Sequence, residues 1–126
     1  MQISHIDHIV LTVADIERSI AFYTQVLGFQ EETFGNGRKA LKFGCQKINL
    51  HQKGREFEPK AAQPTCGAID LCLISATPLA EVAAELQANN IPVIEGIVGR
   101  TGAEGAIRSL YIRDPDGNLI EISEYV

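Results

Sequence analysis

The strongest constraint on this chain is that its pattern is written twice. Near the start, Ile9, Leu11 and Val13 alternate within a strand expected over His5 to Val13. Asp15 is a good N-cap, and Ile16, Ile20, Tyr23 and Leu27 then recur at helical spacing, with Gly28 suited to the left-handed residue that ends a helix. Three short strands are expected next, Phe29 to Phe34, Lys39 to Phe43 and Lys47 to His51, separated by "GNG" and "GCQ". The order then restarts. Ile69, Leu71 and Leu73 alternate, Thr77 can cap a helix with Pro78 at its first position, and Leu79, Val82 and Leu86 form the apolar side. Asn89 and Asn90 can end that helix. A short strand near Pro92 to Glu95, a glycine-rich loop from Gly96 to Gly105, a strand from Ile107 to Arg113, the turn "DPDGN" and a last strand holding "NLIEI" complete the second copy.

The expected fold class is therefore α+β, with tandem βαβββ modules. Each helix packs on one face of a four-stranded sheet, and the helices lie outside a curved, cup-like mixed sheet. Module one spans 1–51, a polar connector with two prolines spans 52–66, and module two spans 67–126. His8 and Asp70 correspond at a displacement of 62 residues, while the closing strands align at 72, setting Asn49 against Glu121.

Composition removes several function classes. A net charge of -5 with no Lys/Arg cluster argues against nucleic acid as a partner. No apolar run approaches the ~18 residues needed to span a bilayer, and "MQISHIDHIV" lacks a signal-peptide layout. Cys45, Cys66 and Cys72 are odd in number and form no CxxC pair, which fits a reduced, cytoplasmic protein.

Strand parity locates the candidate chemistry. With Ile9, Leu11 and Val13 facing the helix, His8, Val10 and Thr12 face the other way. The same rule places Lys47, Asn49 and His51, Asp70 and Cys72, Tyr111 and Arg113, and Glu121 and Ser123 on the faces away from the helices. His8, Asp70 and Glu121 would supply one nitrogen and two carboxylates, a set that divalent transition ions accept with positions left open. The alternative is an ordinary solvated sheet face, the commoner fate of any one such residue. His5, three residues before His8 on a strand, falls on the opposite face and reads as surface.

The tandem pattern, the opening "IDHIVLTVADIERSIAFYTQVLGF" and the closing "YIRDPDGNLIEI" resemble the vicinal oxygen chelate superfamily. That group includes glyoxalase I, fosfomycin- and bleomycin-resistance proteins and extradiol dioxygenases. "GRKALKFGCQKINLHQKGREFEPKAA" and "GRTGAEG" are most similar to its small glyoxalase-domain proteins of unassigned activity. The resemblance implies one glyoxalase-like domain over 1–126, a homodimer, and a divalent ion (Mn, Fe, Ni, Co or Zn) held by His8, Asp70 and Glu121. It further implies enzymatic action on a small oxygen-rich molecule, as a lyase, isomerase or transferase. The other reading it allows is a non-catalytic protein that binds or sequesters a small molecule, as bleomycin-resistance proteins do. Asp70 stands where the family often has histidine, and Asn49 where glyoxalase I has a fourth ligand, a glutamate.

The remaining candidates are substrate groups. Glu121 and His51 are the expected catalytic residues, with His51 placed to move a proton; the alternative for His51 is a polar strand end. Asn49, Arg100, Tyr111 and Arg113 are expected to contact substrate. Arg100 is expected on a mobile loop, where its guanidinium can pair with an anion or simply be solvated. Cys72 is expected to be a buried structural thiol, Glu58 and Lys60 to be surface, and "DPDGN" to be a turn without chemistry.

Overall fold

The computed structural model describes residues 1–126. It contains two compact units, Met1–Gly67 and Ala68–Val126. Unit one runs β1 (His8–Val13), α1 (Ile16–Gln25), β2 (Gln30–Phe34), β3 (Arg38–Phe43) and β4 (Gln46–Gln52). Unit two runs β5 (Asp70–Ile74), α2 (Leu79–Ala88), β6 (Glu95–Gly102), β7 (Gly105–Arg113) and β8 (Leu119–Tyr125). Their sheets have equivalent orders, β1-β4-β3-β2 and β5-β8-β7-β6, so the first and last strands of each unit pair in parallel and the others antiparallel. No helix is long and apolar enough to cross a membrane.

Register bears out the internal alignment. His8 pairs with Lys47 in β1–β4, and Asp70 pairs with Leu119 in β5–β8, so the two displacements belong to equivalent ladders. Val10 faces Asn49 in the first ladder, as Cys72 faces Glu121 in the second.

In unit one, Ile20 and Tyr23 of α1 are buried together with Leu11, Val13, Ile48 and Leu50, which parity assigned to that face, and with Leu41; Ile9, assigned there too, is half-buried. Asp15 caps α1 by accepting from the Arg18 amide at 3.2 Å, a contact worth about 1 kcal/mol. Gly28, at φ 71°, supplies the left-handed turn after the helix. In unit two, Leu79, Val82 and Leu86 are buried with Leu110, Ile112, Ile120 and Ile122.

Three local expectations fail for identifiable reasons. Thr77 does not cap α2. Pro78 holds the cap position without a side-chain bond, Thr77 is tied into a turn by the Ser75 hydroxyl, and the Leu79 amide donates instead to the Glu124 carboxylate at 3.1 Å. The glycine-rich stretch is not a loop but most of β6, and residues 92–94 precede that strand. A Cβ on Gly102 would lie 2.9 Å from Ile107 Cγ2 and 3.0 Å from the Tyr125 hydroxyl, so that glycine permits close packing within the β6–β7 hairpin. Cys72, finally, is exposed.

"DPDGN" is a structural clasp. Buried Asp114 accepts from the amides of Asp116 and Asn118, both at 2.9 Å, and from the Asn118 side-chain nitrogen at 2.8 Å. Fully buried Asn118 in turn accepts from the Ile69 amide at 2.9 Å, fixing β5 beside β8. Gly117, at φ 86°, makes the left-handed step of the turn.

Candidate functional site

In unit two the face away from α2 is organised around Glu121. The Ser109 hydroxyl donates to its Oε2 at 2.6 Å, and the Ser123 hydroxyl reaches the same oxygen at 3.3 Å. Both serines are fully buried and lie 2.7 Å apart. With its one proton on Glu121, Ser109 accepts from Ser123 in the 2.7 Å contact, and this relay of hydroxyls fixes the direction of the carboxylate. Cys72, paired with Glu121 in the ladder, has its sulfur 3.3 Å from the Ser123 hydroxyl. Partial burial of that sulfur raises its pKa, with the Glu121 and Asp70 carboxylates adding to the rise, so the thiol stays protonated at neutral pH. Asp70 is exposed on the same face.

Arg100 lies within β6, two residues from its end, rather than on a mobile loop. Its Nε donates to the Tyr111 hydroxyl at 3.0 Å, and its Nη2 lies 3.3 Å from Glu95. Tyr111 is therefore a real neighbour, and its hydrogen bond is the main reason the Arg100 pKa is raised. Arg113 sits apart from them and donates to the Gly117 carbonyl at 3.3 Å.

On unit one's corresponding face, His8 is exposed and its Nδ1 lies 2.8 Å from Asp7 Oδ2. That contact lowers the Asp7 pKa and leaves the other imidazole nitrogen, Nε2, for a ligand. Asn49 is buried, and its side-chain oxygen has no hydrogen-bond partner. His51 is 3% exposed, with Nε2 3.4 Å from Arg38 Nη2 and its ring 5.6 Å from that of Phe57. Burial pushes its pKa below the ordinary 6.5, and Arg38 pushes further in the same direction. His51 is consequently neutral at pH 7. It is a buried residue near the end of β4, the strand that leads into the connector.

Sequence reasoning missed Arg38, Phe34 and Phe57. The Arg38 guanidinium carbon lies 5.0 Å from the Phe34 ring centre and 4.6 Å from that of Phe57, a connector residue. Lys47 Nζ lies 3.9 Å from the Phe34 ring centre. The signal was available in the hairpin: closing β3–β4 at Phe43 and Gln46 and counting back brings Arg38 level with His51.

Chemically, His8 and Glu121 each present one oriented donor atom, and Asp70 adds an accessible carboxylate. Nitrogen and oxygen donors of these kinds, one in unit one and two in unit two, are of the type divalent transition ions accept. No group of three His, Cys, Asp or Glu side chains is gathered at one point in the single chain.

Comparison with known proteins agrees with this architecture. The family model described as "Glyoxalase/Bleomycin resistance protein/Dioxygenase superfamily" matches residues 5–122. Virulence protein STM3117 of Salmonella typhimurium is 60% identical over 126 residues, covering 100% of this chain and 88% of that protein. Its crystal structure matches with a TM-score of 0.99 over 100% of both chains. The glyoxalase domain-containing protein RDO1 of Mycosarcoma maydis is 53% identical over 99% of this chain and 70% of that protein. A lactoylglutathione lyase from Agrobacterium tumefaciens shares 25% identity at a TM-score of 0.74, over 98% of this chain and 95% of that one. By the extent of the family match and of these likenesses, the chain belongs to the glyoxalase/bleomycin resistance protein/dioxygenase superfamily.

Proposed function

We propose that this protein is a divalent-metal-dependent enzyme of the vicinal oxygen chelate type, a lyase, isomerase or transferase acting on a small oxygen-rich substrate. His8, Asp70 and Glu121 hold the ion, and the assembled form is a cytoplasmic homodimer in which the ligand set is completed. The observation that carries the reading is the anchoring of Glu121 by Ser109 at 2.6 Å, itself backed by Ser123 at 2.7 Å. A solvated surface carboxylate has no need of a buried hydroxyl pair behind one oxygen, whereas a ligand must be held in direction. The orientation of His8 by Asp7 supports it in the same way.

A bound divalent ion supplies Lewis acidity toward two neighbouring substrate oxygens. The chain's own side chains would do the rest. His51, neutral at pH 7, accepts a proton once Arg38 releases its Nε2. Asn49 offers an unpaired oxygen to a substrate hydroxyl or N–H. Arg100 and Tyr111, already bonded to each other, present a cationic edge on unit two's sheet face, with Arg113 as a further charge. Glu121 joins the chemistry through the oxygen that the serines leave free.

Thermal-shift titration with Mn²⁺, Fe²⁺, Co²⁺, Ni²⁺ and Zn²⁺ tests the proposal. The wild-type protein is expected to gain stability with at least one ion, and Glu121→Gln to lose that gain while keeping a cooperative unfolding transition. A wild-type protein indifferent to all five ions points to the second reading, small-molecule binding without metal. The unpaired side-chain oxygen of Asn49 and the aromatic surroundings of Arg38 favour that reading.

A further inference from the structure

We infer that the sheet face of unit one is a recognition site for the oxyanion head, carboxylate or phosph(on)ate, of a small organic molecule with an apolar body. Arg38 grips the head, Lys47 adds charge, and Phe34 and Phe57 flank the body. The inference rests on the small-molecule site of the reading above and not on its metal.

Like charges are gathered here with no carboxylate in direct contact, although Lys47 lies near enough to Asp7 to help lower its pKa. Arg38 and Lys47 both lie against the Phe34 ring, at 5.0 and 3.9 Å from its centre. Neither makes an ion pair with a carboxylate, although the chain carries 16 acidic residues against 11 Lys and Arg. Arg38 Nε is buried with no hydrogen-bond partner, an arrangement that normally costs a charged donor its hydration for nothing in return. Its one polar contact, 3.4 Å to His51 Nε2, is long. The carboxylate of Glu56, close enough to act on His51, is already engaged by the Gly54 amide at 2.7 Å and by Lys60 at 3.7 Å.

Such a set of donors is what a bound oxyanion would satisfy. A guanidinium matches carboxylate and phosphate oxygens in a two-pronged contact, and the aromatic faces compensate its charge only in part. Phe57 comes from the connector and is 44% exposed, leaving an apolar wall beside the guanidinium for the rest of the ligand. On the neighbouring strand, Asn49's unpaired oxygen suits a hydroxyl on the same molecule. His51 is then a positioning residue for Arg38 while no anion is bound.

The test uses metal-stripped full-length protein titrated with phenylacetate, phenylphosphonate and uncharged 2-phenylethanol, followed by calorimetry and by the Arg38 Nε–H resonance. At least one anion should bind more tightly than the alcohol, and the Nε–H signal should move downfield on binding. Whichever anion wins identifies the head group, and either supports the site. Arg38→Gln should weaken anion binding about tenfold or more, the loss of a charge-assisted contact, with Arg38→Lys intermediate. Arg55→Gln, which removes a charge elsewhere in the connector, should leave it unchanged. Anions that bind no better than the alcohol, or bind Arg38→Gln as they bind wild type, overturn the inference. Anion binding that depends on Arg38 in a protein that takes up no metal would uphold this site and overturn the metal. Metal uptake with anion binding indifferent to Arg38 would do the reverse.

Discussion

Ser109 decides where Glu121 points. Its hydroxyl is fully buried and gives the shortest hydrogen bond on that face, 2.6 Å. Ser109→Ala is expected to lower metal affinity about 10- to 100-fold, the usual cost of losing an orienting partner. It should destabilise the fold by only about 1 kcal/mol. Calorimetric metal titration beside urea unfolding separates the two effects. His51 supplies a pH prediction. Its native pKa lies below the ordinary 6.5, so the unfolded chain takes up the proton first. The associated stability is present above about pH 6.5 and is lost as pH falls from there through the native pKa. Between pH 7.5 and 5.5, urea unfolding should show a larger loss for wild type than for His51→Gln. Parity alone was enough to put His8, Asn49, His51, Asp70 and Glu121 on faces away from the helices. It could not show that Ser109 bonds Glu121, because a hydroxyl at that position looks the same whether it binds a carboxylate or water. Arg38 escaped because the third strand was expected to begin one residue later, at Lys39.

The clasp between β7 and β8 carries the sharpest prediction about elements. Fully buried Asn118 joins Ile69 to Asp114 through a part-buried and a buried hydrogen bond. Asn118→Ala would strand the Ile69 amide and an oxygen of Asp114, costing about 2–4 kcal/mol. Denaturant unfolding measures the loss, and hydrogen exchange should quicken first at the Ile69 and Leu119 amides, which bridge the β5–β8 entry. The sequence made this turn visible through Pro115 and Gly117, but not the distant strand that it holds. Element order and the apolar cores were legible because alternation and helical spacing are set by burial. The β6 strand was not. Its glycines suggest a loop, and only contact with Ile107 and Tyr125 shows that Gly102 serves close packing. Likewise the cap of α2 comes from Glu124, 45 residues beyond Leu79, where no local pattern reaches.

At the scale of the molecule, the duplication explains why each sheet ends in a helix-connected edge strand, β1 in one unit and β5 in the other. Both edges expose apolar side chains, Val10 at 42% and Ile74 at 53%. Exposed edges of this kind invite pairing. The proposed homodimer should appear in light scattering as a particle of twice the chain mass, and Ile74→Lys should shift it toward monomer. The two copies have also diverged in chemistry. Unit two keeps the anchored carboxylate Glu121, whereas unit one has Asn49 at the equivalent point and a cationic, aromatic face around it. An ion held by carboxylates of unit two and the His8 imidazole of unit one is the core of the functional account. Its most direct test is anomalous X-ray scattering from crystals grown with Mn²⁺. The account predicts a peak within coordination distance of His8 Nε2 and of oxygens of Asp70 and Glu121. A crystal with no such peak, or with Mn²⁺ bound only at other residues, would contradict it.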